Sequence, residues 1–434
     1  MIKKIDCGKT NLSDLYQVFK LKNNACLEAK KARLFPAGNT NNEVETTSIF
    51  LASLSAIKEY REELFTRLGI KKLNARNAIL HAYTELSDSK TGDRPDGLLV
   101  ITSGKHNPII EWAGFIESKV NNQDITSPQI EKYVDFSRSI GINDIITISN
   151  HLVTNPTNSP IKLKKRSFKL YHWSWTYLKV TASRLVRTNS VADEDHIYIL
   201  QELRRYFDAH KNLKNYEHMG ANWKNAVMEI HSFSPEQKIP SELLQHIVSS
   251  YIQEEKDISL QLRDKSDYHV ELIATDNHED VICDMLQSSK MITSTFMVDR
   301  NKKNTFSIEI DFIRQKVTCY TSIVIDKGKA QAQTTALIKM FEDVAATSHI
   351  LVNAYYIRKK SNNQNTSLAN LIEERSQAET YSVLNKQFGD DIKSFKIKTE
   401  DLLRKDFSSV KNFVVKLEST AYRFLTQVMA NKKL

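Results

Sequence analysis

Two short stretches carry the residue types that could do chemistry. Arg94-Pro95-Asp96-Gly97 places a carboxylate immediately before the apolar run Leu98-Leu99-Val100-Ile101. Further on, Ile116-Glu117-Ser118-Lys119-Val120 places a carboxylate and an ammonium two residues apart at the end of a second apolar run. Side chains alternate along a strand, so Glu117 and Lys119 point to one face. A hairpin between the runs returns Glu117 to the neighbourhood of Asp96. Converging carboxylates flanked by an ammonium form a hard-oxygen site suited to Mg²⁺. Such a metal stabilises charge on a phosphodiester and lowers the pKa of an attacking water. The lysine can orient that water or offset charge in the transition state. The plain alternatives are a turn aspartate at 96, next to Asp93, and a surface ion pair between Glu117 and Lys119.

The elements that must position these residues follow from periodicity. Val44, Thr47, Phe50, Leu51, Leu54, Ile57, Leu64 and Leu68 recur at helical spacing, and Gly69 closes the run. Residues 79–86 read as a strand and 87–95 as a polar turn region. Residues 98–101 and 109–119 read as an antiparallel hairpin. A helix is expected over 127–139, with Pro128 near its first position and Gly141 at its end. Residues 144–149 read as another strand. The order is helix, three strands, helix, strand.

Asp96 with the Glu117-Ser118-Lys119 triplet, in that element order, resembles the PD-(D/E)XK nuclease superfamily. Gln129-Ile130-Glu131-Lys132-Tyr133 is similar to the Q-x-x-x-Y signature of its RecB-like members. The resemblance covers about residues 43–150. It implies an α/β fold with a restriction-endonuclease-like αβββαβ core. It implies that Asp96 and Glu117 ligate Mg²⁺ (or Mn²⁺), that Lys119 is catalytic, and that Gln129 and Tyr133 stand beside the site. The first helix of many members brings a further acid to the metal: Glu43 is the best match and Glu45 the second choice. The function implied is a metal-dependent nuclease hydrolysing DNA, in bacterial anti-phage or anti-plasmid defence and as part of a complex. A repair or recombination nuclease keeps the same chemistry. A non-catalytic nuclease-fold subunit that binds DNA as a scaffold is the reading from another class.

The balance of charge agrees with a polyanionic partner. The chain carries a formal net charge of +9, with a pI of about 9.0. Residues 151–187 hold eight Lys or Arg and no acid. Lys162, Lys164, Lys165, Arg166 and Lys169 are the candidate nucleic-acid contacts there. Phe168, Tyr171, His172, Trp173, Trp175 and Tyr177 lie among or just after them. Cations neutralise phosphates and aromatic faces stack on bases. A strand over 168–173 would instead send half of these aromatics into a core. No nucleotide-binding loop of the G-x-x-x-x-G-K-[ST] type occurs, so no ATP site is expected. The four cysteines show no C-x-x-C spacing, and neither a signal peptide nor an apolar span is evident. Cytoplasmic localisation, without membrane attachment, is the expectation.

Four regions are expected: an N-terminal extension over 1–42, the nuclease domain over 43–187, an α+β accessory domain over 188–360, and a helical C-terminal region over 361–434. In the accessory domain, helices are expected over 193–233, 240–255 and 330–344, and strands over 269–275, 305–312 and 316–325. The C-terminal region spaces apolar residues such as Leu368, Leu371, Phe395, Phe413, Leu417 and Phe424 through charged sequence. Such helices bury one stripe. That stripe would pack on the accessory domain, or hold a protein partner or a second copy of the chain.

Overall fold

The computed structural model describes all residues except 1–2, 35–41, 76, 88–91, 121–124, 154, 158, 162–167, 214–215, 235, 276, 327, 345–346, 358–363, 378–391 and 433–434. The protein is mixed α/β and divides into two compact units, Met1–Asn215 and Tyr216–Leu434.

The first unit begins with two short helices, α1 (Leu15–Val18) and α2 (Asn24–Glu28). They precede α3 (Glu43–Ala56), whose first turn is capped by the Asn42 side chain accepting from the Glu45 N–H at 3.0 Å. The single helix expected over 43–68 is two helices. Ile57 is fully buried in an extended conformation, which ends α3 and starts α4 (Lys58–Arg67) on a new axis. There follow β1 (Ile79–Thr84), β2 (Gly97–Ser103), β3 (Ile109–Ser118), α5 (Ser127–Ser139), β4 (Asp144–Ser149), β5 (Lys169–Ser174), α6 (Trp175–Arg187) and α7 (Glu194–Ala209). The sheet order is β1-β2-β3-β4-β5. β1, β2 and β3 pair antiparallel, whereas β4 and β5 run parallel to β3. The expected hairpin over 98–119 is present as β2 and β3.

Both faces of this sheet are covered, which explains why its central strands are apolar on both sides. On one face Leu98, Val100, Phe115 and Ile145 pack with Ile130, Val134 and Phe136 of α5, and also with Ile5, Leu15, Phe19 and Leu27. The N-terminal residues are therefore part of this core rather than an extension to it. They also cover the outer edge of β1: the Ala32 N–H donates to the Ala82 carbonyl at 2.9 Å, and the Thr84 N–H to the Lys30 carbonyl at 2.7 Å. Covering an edge removes a template for unwanted pairing. On the other face Phe50 of α3 meets Tyr60, Trp173 and Trp175 edge-on, and Phe65 meets Trp112 and Trp173.

The first unit also runs past the expected boundary at 187. α7 buries Leu200, Leu203 and Phe207, and the Phe207 ring lies 5.7 Å from that of Trp175. The Tyr206 hydroxyl lies 2.9 Å from Thr46 Oγ1 on α3. α7 thus closes the face that α3 and α6 build.

The second unit holds α8 (Trp223–His231), α9 (Ser241–Lys265), β6 (Val270–Leu272), α10 (His278–Ser289), β7 (Met291–Val298), β8 (Asn301–Asp311), β9 (Lys316–Ile323), α11 (Ala330–Met340), β10 (Ile350–Tyr356), β11 (Gln364–Ser367), α12 (Leu368–Gln377), β12 (Ile392–Leu402) and α13 (Asn412–Gln427). Its strands form one sheet in the order β11-β10-β12-β9-β8-β7-β6, antiparallel throughout. Buried and half-buried residues alternate along β7 and β10, as expected of a sheet covered on one face. The expectation of a purely helical region over 361–434 is corrected here. β12 lies between β10 and β9 inside the sheet, and β11 forms the strand at its edge. Phe395 and Ile397 are buried with a period of two, not at helical spacing. α13 keeps the expected stripe and packs Phe413 against Trp223 at 4.7 Å and Phe424 against Phe306 at 5.9 Å.

All four cysteines are free. Among the described residues no helix is long and apolar enough to cross a membrane.

The way α7 packs predicts where the chain can be cut. A fragment of residues 1–215 should unfold in one cooperative transition. A fragment of residues 1–187 lacks Leu200, Leu203 and Phe207 and should lose about 4 kcal/mol or more, since each buried apolar side chain contributes on the order of 1.5–3 kcal/mol. Urea unfolding followed by tryptophan fluorescence compares the two.

Candidate active site

The register of the hairpin places the acids. Gly97 pairs with Ile116, so Asp96, one residue before β2, stands opposite the end of β3 where Glu117 lies. Gly97 has no room for a side chain: a Cβ would come within 2.6 Å of Leu51 Cδ1 and 3.2 Å of Ile116 Cβ. The Ser118 N–H donates to Asp96 Oδ2 at 2.8 Å.

Glu117 is 1% exposed. Gln129, at the start of α5, donates from Nε2 to Glu117 Oε1 at 2.5 Å. The Lys119 ammonium lies 2.9 Å from the same oxygen, 2.8 Å from Glu43 Oε1 in the first turn of α3, and 3.0 Å from the Ser118 carbonyl. The Lys119 backbone is anchored at both ends. Its N–H donates to the Ile148 carbonyl at 2.8 Å, and its carbonyl accepts from Trp175 Nε1 at 2.9 Å. At the rim, the Tyr133 hydroxyl donates to the Arg94 carbonyl at 3.4 Å. One helical turn separates Gln129 from Tyr133, which is why both reach the same end of the sheet.

Burial and the neighbouring Asp96 push Glu117 up to about 8, against the pull of Lys119. Burial raises Asp96 as well, opposed by the Ser118 N–H and the Lys119 charge. Burial also works against the ammonium of Lys119, but Glu117, Glu43 and Asp96 outweigh it and hold its pKa above the ordinary value. Burial and the Glu117 charge push Tyr133 up to about 12. The cleft therefore holds more acid than one lysine neutralises.

A further observation bears on the cation. Glu117 Oε2 is buried with no hydrogen-bond partner. An orphaned carboxylate oxygen beside a second carboxyl is the environment a hard divalent cation satisfies, so the donor types fit Mg²⁺ or Mn²⁺. Among the described residues no three His, Cys, Asp or Glu side chains converge closely enough to hold a metal ion. Glu43, the expected third ligand, is turned to Lys119 instead.

The structure brings together Asp96, Glu117, Lys119, Gln129 and Glu43, with Tyr133 at the rim. Glu45 points elsewhere, and its charge acts on Tyr206. Lys169 is exposed at the amino end of β5, in register with Asp144, whereas Glu117 is in register with Thr147 nearer the carboxyl end of β4. Lys162, Lys164, Lys165 and Arg166 lie outside the described residues. The aromatics next to them are structural: Tyr171, His172, Trp173, Trp175 and Tyr177 are buried, and the half-buried Phe168 carries the Arg138 guanidinium over its ring. The basic excess is nonetheless localised. Residues 216–434 carry equal numbers of acidic and basic side chains, so the whole +9 belongs to residues 1–215.

Sequence reasoning missed Thr47, Ser118 and Trp175 as parts of the site. Thr47 carried a faint signal, a hydroxyl within the apolar series of α3. Trp175 carried none, because its bond to Lys119 spans two elements.

Comparison with family models, with curated proteins and with solved structures finds no match.

The raised carboxyl pKa values set a sign. A carboxyl protonated more readily in the folded than in the unfolded chain costs stability as pH rises from its unfolded value to its folded one. In EDTA the protein should therefore lose stability between about pH 4.5 and about 8, the span over which Glu117 is shifted. Glu117→Gln should flatten that slope and unfold at a higher temperature than wild type at pH 8. Thermal unfolding of both proteins at pH 5 and pH 8 measures it.

Proposed function

We propose that residues 43–150 form a PD-(D/E)XK-type nuclease core, and that the protein hydrolyses phosphodiester bonds of DNA with Mg²⁺ or Mn²⁺. The observation that carries the reading is the meeting of Asp96, Lys119 and Gln129 at the buried Glu117–Ser118 strand end, where one Glu117 oxygen is left without a partner. These residues come from a turn, a strand end and a helix start, so neither local structure nor one surface ion pair explains their meeting. The element order of α3, three strands, α5 and β4 agrees with the αβββαβ arrangement of that superfamily. The basic excess on residues 1–215 suits a polyanionic substrate.

In this reading Asp96 and Glu117 hold the cation, with Glu43 as the acid within reach once it leaves Lys119. The cation supplies charge stabilisation at the scissile phosphate and a more acidic water. Lys119 stands beside both acids and presents its ammonium to the water or to the developing negative charge. Gln129 fixes the Glu117 carboxylate by its amide and keeps its second oxygen directed into the cleft. Tyr133 ties α5 to the turn that carries Asp96, through the Arg94 carbonyl. The setting that the superfamily resemblance implies for such an activity is bacterial defence against phage or plasmid DNA.

Cleavage of linear and circular DNA by the full chain, with Mg²⁺, Mn²⁺ or EDTA, tests the proposal. Asp96→Ala, Glu117→Ala and Lys119→Ala should each lower the rate on the order of 10²–10³-fold or more. The circular dichroism of each variant should match that of wild type. A Lys119→Ala protein that cuts as fast as wild type would refute the assignment. A wild type that binds DNA without cutting it would make the chain a scaffold.

A further inference from the structure

Thr47 and Ser118 are both fully buried, and their hydroxyl oxygens lie 2.5 Å apart. Thr47 is on α3, one turn after Glu43, and its Oγ1 also lies 2.7 Å from the Glu43 carbonyl. Ser118 separates Glu117 from Lys119. Its N–H donates to Asp96 Oδ2, and its hydroxyl stands 3.5 Å from that same oxygen.

Each hydroxyl has one hydrogen to donate, so the pair has two arrangements. In one, Thr47 donates to the Glu43 carbonyl and Ser118 donates to Thr47. In the other, Thr47 donates to Ser118, and Ser118 donates to Asp96. The second gives the Asp96 carboxylate a side-chain hydrogen bond beside the backbone one it already has. The Glu43 carbonyl loses little, because the helical N–H of Thr47 still serves it. A valine at position 47 would fill the same volume among Phe50, Leu51 and Leu54 without a polar group to satisfy. A buried hydroxyl costs free energy unless it is used.

We propose that Thr47 is a positioning residue for the cation site. Through Ser118 it directs a side-chain hydrogen bond to the Asp96 oxygen that the Ser118 N–H already holds. This rests on the nuclease reading above. It adds that the ligand is oriented from the far side of the sheet, by a residue of α3 that touches neither metal nor substrate. The same hydroxyl pair ties the helix carrying Glu43 to the strand carrying Glu117 and Lys119.

The test is Mn²⁺ binding to the full chain, without DNA, by isothermal titration calorimetry. Hydrogen bonds to charged groups are the stronger ones, so Thr47→Val should bind Mn²⁺ about ten-fold more weakly. Thr47→Ser, which keeps the hydroxyl, should bind as wild type does. Ser118→Ala should weaken binding to a similar extent and carries the test alone if Thr47→Val does not fold. Thermal unfolding in EDTA reports folding of each variant. Equal Mn²⁺ affinity in wild type, Thr47→Val and Ser118→Ala overturns the inference while leaving the nuclease reading intact. Thr47→Ser binding as weakly as Thr47→Val overturns it too, since the hydroxyl is then not the determinant. A wild type that takes up no Mn²⁺ overturns the nuclease reading, and this inference with it.

Discussion

The contact between the Lys119 ammonium and the Glu117 carboxylate is the one that organises the acidic end of the first unit's sheet. A carboxylate that is 1% exposed is stable in the charged form only with a charge partner and hydrogen bonds. Lys119 is the charge partner and Gln129 the donor. Because Lys119 also holds Glu43, a single ammonium links α3 to β3, and the Gln129 amide links β3 to α5. Two helices that flank opposite faces of the sheet are thus tied to its central strand at one end of it. Removing the ammonium would leave the buried Glu117 and the half-buried Glu43 with one partner fewer, which makes this place costly to fold.

That cost is carried by a frame with little freedom to move. One face of the sheet is filled by the interlocked rings of Phe50, Phe65, Trp112, Trp173 and Trp175, and the other by α5 and the N-terminal residues. Close-packed aromatic layers resist displacement. The frame also reaches the site directly, since Trp175 packs on Phe50 with its ring and holds the Lys119 carbonyl with its N–H. The aromatics that follow the basic run support the end of the sheet where Asp96, Glu117 and Lys119 meet.

The second unit follows a different logic. Its sheet is antiparallel, covered by helices on one face, and its charges balance. One unit thus carries all of the net charge and the other none.

What the residues determined by themselves was local. Helical spacing marks α3, α5 and α13, alternation and turn residues mark the β2–β3 hairpin, and the spacings of Asp96 to Glu117 and Lys119, and of Gln129 to Tyr133, are legible because each is set within one hairpin or one helix. What only the tertiary structure decided depends on residues far apart in sequence. The helix over 43–68 breaks at Ile57 because that side chain is needed in the core, and no helix-breaking residue announces it. Residues 5–28 join the core because they fill a sheet face that α5 alone does not cover. Phe395 and Ile397 belong to a strand because β9 and β10 wait on either side of them; alone, charged sequence with spaced apolar residues also satisfies a helix. Thr47 meets Ser118 only once α3 lies across the sheet. A hydrogen bond between two hydroxyls leaves no periodicity to read, since neither residue type requires the other until packing brings them together.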